Sequence, residues 1–174
     1  MEAQAKQKMT ASVFINKILA GTALGVIVGL IPNAVLSAIL KYFSQYPIAV
    51  TITQIAVIFQ LATPLIIGGL IGLQFGFKPM QMMVVAGACF VASGVVTYNA
   101  ELQKYVGAGT GDLINTMVTA AIAVGMLMVI KDKFGSTAVV AMPIVVGVGS
   151  AFIGLLLLPY VKMITAAIGT VINE

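Results

Sequence analysis

The sequence has no histidine, no tryptophan and no arginine, and its only cysteine is Cys89. Each absence closes off a class of chemistry. Without histidine there is no nucleophile–base pair of the Ser/His/Asp kind. One cysteine forms no disulfide within the chain, and no spacing of residues suggests a metal-ligand set. No catalytic residue, cofactor or metal is therefore expected. Charge is scarce as well: 8% of the 174 residues are charged, against roughly a quarter in soluble domains. Such a chain lacks the polar surface that a water-soluble fold requires. The nine basic residues are all lysines, scattered singly, and a nucleic-acid footprint needs them clustered.

What is present is apolar. Hydrophobic residues make up 60% of the chain, and the mean hydropathy is +1.11. Charged residues bound the uninterrupted stretches Ile18–Leu40, Tyr42–Phe77, Pro79–Ala100, Leu113–Ile130 and Phe134–Val161. About 20 apolar residues cross a hydrocarbon core near 30 Å. The reading is a single all-α integral membrane domain over residues 1–174, with about five spans near 18–40, 48–73, 79–98, 113–130 and 138–160. Pro64 should kink the second span, and Pro143 falls early in the fifth. Pro32-Asn33 should break or bend the first, because proline removes a backbone hydrogen bond. The tail after Met163 either lies along the interface or extends the last helix. The first apolar segment is too long for the core of a signal peptide, and no A-x-A-like site follows it.

Lysine placement orients the bundle. With the N-terminus inside, Lys6, Lys8, Lys17, Lys78, Lys131 and Lys133 are cytoplasmic, and Lys41, Lys104 and Lys162 are outside. That six-to-three division favours a cytoplasmic N-terminus. An odd number of spans is what one half of an inverted-repeat transporter has, which makes a second half or a homo-oligomer an expected partner beside the lipid bilayer.

Glycine and polar residues carry the remaining pattern. Gly21, Gly25 and Gly29 form a repeated Gly-x-x-x-Gly ridge, and Gly68 with Gly72 repeats it. Small residues let membrane helices approach closely. Ala121 and Gly125 give a milder version. Thr53, Gln60 and Thr63 share one face of a helix, as do Asp112, Asn115, Thr116 and Thr119. The turn Gly107–Gly111 opens onto a helix N-terminus, where Asp112 can act as the N-cap. Polar groups at membrane depth mark pathways, and they also join helices by interhelical hydrogen bonds. Gln60, Thr63, Asp112, Asn115 and Thr116 are the candidate solute-binding residues. Their amides, hydroxyls and one carboxylate suit an uncharged, hydroxyl-rich solute such as a sugar. Met80, Met82 and Met83 read as flexible packing, and Cys89 as a small apolar residue.

Three stretches, Ile18–Ala34, Gly69-Leu-Ile-Gly-Leu-Gln-Phe75 and Gly111-Asp-Leu-Ile-Asn-Thr-Met117, resemble a group of bacterial EIIC-type proteins. These are membrane subunits of the phosphoenolpyruvate-dependent sugar phosphotransferase system, and the likeness is to their N-terminal half. The resemblance implies a multi-pass permease in the bacterial plasma membrane that passes a carbohydrate while separate soluble subunits phosphorylate it. The alternative from another class is a non-transporting membrane scaffold or assembly partner, whose polar stripes only join helices.

Overall fold

The computed structural model describes residues 9–130 and 133–172. Lys6, Lys8 and Lys131 of the lysine pattern lie outside the described residues. Helix α1 spans Ala11–Leu40, capped by the Thr10 hydroxyl, which accepts from the Val13 N–H at 3.3 Å. It continues through Pro32, where the sequence pattern anticipates a break or bend. Next come α2 (Pro47–Leu61), α3 (Thr63–Gln74) and α4 (Pro79–Ala92). A β-hairpin (β1, Val96–Asn99; β2, Lys104–Gly107) leads to α5 (Leu113–Ile130). The last pass is one continuous rod: α6 (Ala138–Met142), a π-helical segment (Pro143–Val148) and α7 (Gly149–Ile172). Three of the helical units are long and apolar enough to cross a bilayer, and α2 with α3 makes a fourth if the pair is one span. The protein is thus an all-α membrane bundle with a small hairpin inserted.

Glycine sets the seam between α1 and α3. A Cβ on Gly21 would lie 2.6 Å from Ile71 Cα, one on Gly25 2.6 Å from Ile67 Cα, and one on Gly29 2.8 Å from Thr63 Cβ. The pairs run in opposite directions along the two helices, so α3 is antiparallel to α1. Gly68 then faces Ala86 and Gly72 faces Met82, which makes α4 antiparallel to α3. The ridge expected from sequence is therefore an internal packing surface. Gly125 is different: a Cβ there would meet nothing within 4 Å, so the Ala121/Gly125 pattern closes no such seam.

These contacts also fix heights across the bundle. Lys17 donates to the Gln74 carbonyl at 2.6 Å, with its ammonium 5.3 Å from the Phe75 ring centroid, and marks one end. At 1.5 Å per residue, Gly29 lies about 18 Å along α1 from Lys17. Thr63, opposite Gly29, is thus near the middle of a core about 30 Å thick. There the predicted single helix over 48–73 is in fact two, bent by 48° around Ala62, because Pro64 supplies no N–H to continue the ladder. Helix α4 has 14 residues, about 21 Å by the same rise, and ends near that height.

The predicted span over 79–98 is therefore too long by its last turn and a half. Gly94 takes a φ of +71°, and Val96–Asn99, led by β-branched and aromatic residues, pairs with Lys104–Gly107 instead, Thr97 opposite Val106 and Tyr98 opposite Tyr105. Helix α5 starts beside the end of α4 and returns toward the Lys78 end. The last pass runs parallel to α4, with Gly147 near Val84 and Gly94 near Leu158. Its helix continues past Met163 to Ile172. Large apolar side chains such as Ile27, Ile55, Val129 and Phe152 are more than half exposed on the outer face, as lipid contact requires.

Candidate functional site

Polar side chains gather where helices stop at mid-depth, and they do so in two clusters. The first lies at the α2/α3 break. Thr63 is fully buried against Gly29, and its hydroxyl donates to the Gln60 carbonyl at 2.6 Å. That bond satisfies an acceptor stranded at the end of α2. The Gln60 side-chain oxygen accepts from the Asn33 amide, and Ser37 donates to Asn33 Oδ1 at 2.9 Å. Thr53 instead turns back on its own helix, donating to the Ala49 carbonyl at 2.9 Å. The expected face shared by Thr53, Gln60 and Thr63 is thus interrupted by the bend.

The second cluster lies at the N-terminus of α5. The Asp112 N–H donates to the Ser93 carbonyl at 2.8 Å, and its Oδ1 accepts from the Asn115 N–H at 2.8 Å. This is N-capping, with a carboxylate at the positive end of the helix dipole. Two glycines permit the approach: Gly109 and Gly111 have φ of +68° and +67°. A Cβ on Gly111 would also sit 2.7 Å from Ser93 Cβ. The other carboxylate oxygen accepts from the Thr165 hydroxyl of α7 at 3.4 Å.

Asn115 is a joint between three helices. Its amide donates to the Ala92 carbonyl at 2.7 Å and to the Gly154 carbonyl at 3.0 Å, so α4, α5 and α7 meet on one side chain. Thr116 donates to the Asp112 carbonyl at 2.7 Å. Two atoms are left over: Asn115 Oδ1 and Thr119 Oγ1 are buried without a hydrogen-bond partner among the described residues. A buried polar atom without a partner costs on the order of 1–3 kcal/mol. Thr119 Oγ1 faces the crossing of α5 with Gly154, where a Cβ would overlap it and lie 2.6 Å from Ala92 Cβ.

The five sequence-predicted residues are thus divided. Gln60 and Thr63 belong to the first cluster, and Asp112, Asn115 and Thr116 to the second. No hydrogen bond among the described residues joins the two. The base of the hairpin lies between them: a Cβ on Gly107 would be 3.2 Å from Leu61 Cδ1 and 3.7 Å from the Val95 carbonyl. Sequence reasoning missed Asn33 and Ser37, although an amide within an apolar segment is itself a signal. It also missed Ser93 and Gly154, which matter only through packing.

The geometry offers amides, hydroxyls and one capped carboxylate, and it suits hydrogen bonding to a polar solute better than covalent chemistry. A family model described as "Phosphotransferase system, EIIC" matches residues 16–174. No curated protein and no solved structure matches the chain. The chain belongs to the EIIC family of the phosphotransferase system, and it is a multi-pass membrane protein of that permease type.

Proposed function

We propose that this EIIC protein carries a carbohydrate across the bacterial plasma membrane, with its N-terminus in the cytoplasm. Gln60, Thr63, Asp112, Asn115 and Thr116 serve the solute where α2 and α4 end and α5 begins at mid-depth. Discontinuous helices at the bilayer middle are the usual setting for transporter sites, since their ends expose unsatisfied backbone groups and partial charge. The single observation that carries this reading is the unpartnered Asn115 Oδ1. It is a hydrogen-bond acceptor, held still by two bonds through its own amide, beside a helix N-terminus. A sugar hydroxyl is a donor of the kind it lacks.

Zero histidines and one buried cysteine leave phosphorylation to separate soluble subunits of the system. A second copy or partner half completes the pathway in this reading. The test is uptake of labelled sugars by cells expressing Asp112→Ala or Asn115→Ala at equal membrane levels. Reduced uptake with normal insertion supports the site, and unchanged uptake in both variants refutes it. The scaffold reading draws on a specific observation too: most of these polar groups already bond to neighbouring helices. Flux into proteoliposomes over a panel of sugars separates the two, since a scaffold passes none.

A further inference from the structure

A groove of about 430 Å³ runs between α4 and the last pass, with Met83, Gly87 and Val91 on one wall and Gly147, Val148 and Ala151 on the other. It belongs to neither polar cluster. A recess of about 150 Å³ shares its residue Met80 and adds Lys78, Gln81 and Gly135, so the apolar groove ends in a polar mouth at the N-terminus of α4. The floor is open: a Cβ on Gly87 would meet nothing within 4 Å. Met83 and Val148, at its edges, are 56% and 66% exposed.

Length and charge together identify what fits. From Met80 to Val91 the groove follows α4 for about 16 Å, which is one leaflet of a core about 30 Å thick. A spanning partner helix would need about twice that, whereas an acyl chain rooted at the interface needs just this depth. Lys17, Lys78 and Lys133 lie at the mouth's end of the bundle, whereas Asp112 caps the far end of α5 and Glu101 sits in the hairpin turn beyond α4. Lys131 and Asp132, mutually neutralising in sequence, fall outside the described residues. The positive end of the α4 dipole adds to the field at the mouth.

We infer that this groove is a binding site for an anionic phospholipid, with one acyl chain between α4 and the π-helical segment and the phosphate at Lys78. The site is independent of the transport reading, and its test needs no solute. Purified protein is equilibrated with vesicles of equimolar phosphatidylglycerol and phosphatidylcholine of identical chains, and retained lipid is read by native mass spectrometry. Wild type should keep phosphatidylglycerol with about fivefold preference, the effect of roughly one lysine near a membrane surface. Gly87→Leu fills the groove from open space, and it should lose retention of both lipids at unchanged helicity. Lys78→Gln should keep the chain but lose the headgroup preference.

Equal retention of both lipids by wild type overturns the proposal, as does wild-type retention by Gly87→Leu. A change of oligomeric state in Gly87→Leu with lipid retention intact also overturns it, and assigns the groove to a second copy. Should Gly87→Leu fail to fold, wild type is irradiated with phosphatidylglycerol carrying a photoreactive chain. Adducts at Met83 or Val148 support the site, and adducts confined to other helices refute it.

Discussion

Along α1 and α3, glycine meets main chain at Ile71 and Ile67 and a bonded hydroxyl at Thr63; at the crossing of α5 and α7, glycine meets a hydroxyl that has no partner among the described residues. The first seam lays Gly21, Gly25 and Gly29 each against a single residue of α3. Nothing polar is stranded along it, since Thr22 donates to the Ile18 carbonyl at 2.8 Å and Thr63 to that of Gln60. The second crossing has one glycine, Gly154, and it leaves two polar atoms without partners. Close packing that completes every bond builds a wall. Close packing that leaves acceptors unfilled, next to a helix start, builds a place where something else can bind.

The comparison can be broken at several points. Gly25→Leu has the largest expected effect, because its side chain would meet the Ile67 main chain, which cannot rotate away. Overpacking of this kind costs about 3 kcal/mol or more, and the variant should not give monodisperse protein on size-exclusion chromatography. Asn115→Ala comes next. It removes the donor to Ala92 and Gly154, and should lower stability by about 2 kcal/mol in a thermal or denaturant titration in detergent. Gly154→Ala should cost about 1–2 kcal/mol. Adding Thr119→Ala should recover part of that loss, because the overlapping atom is then gone, whereas additive losses would show that the two sites are not coupled. Gly125→Ala is the smallest: open space receives the methyl group, so stability should stay level or rise by up to about 1 kcal/mol.

Much of this architecture was legible in the sequence, for reasons that particular residues illustrate. Charge-free runs report membrane burial directly, so the spans of α1 and α5 and the course of the last pass were expected. The Gly21/Gly25/Gly29 ridge was recognisable because its period matches the helix turn. Asp112 as an N-cap followed from its place after Gly111. Other features depend on partners far away in the chain. Hydropathy does not distinguish a strand from a helix in Val96–Asn99, and only the positive φ of Gly94 and the pairing with Lys104–Gly107 decide it. Gly125 has a milder form of the Gly25 spacing signal, but a Cβ there would meet nothing within 4 Å. The division of the candidate site into two clusters was equally hidden, because it depends on the base of the hairpin at Gly107 lying against Leu61, a contact between residues far apart in the chain.

The even spacing of the α1 glycines has one more implication. Because each glycine is four residues from the next, and Ile71, Ile67 and Thr63 are spaced likewise, the seam is nearly degenerate in register. Sliding α1 by one turn, about 5.4 Å, would set Gly25 against Ile71 and Gly29 against Ile67. One-turn ratchets of this size are a known mode of switching between packed elements. The contacts that tell the two registers apart are not in the seam but at its ends: Lys17 on the Gln74 carbonyl below, and Asn33 on Gln60 above. Two end latches therefore hold α1 on a track that the glycines leave smooth.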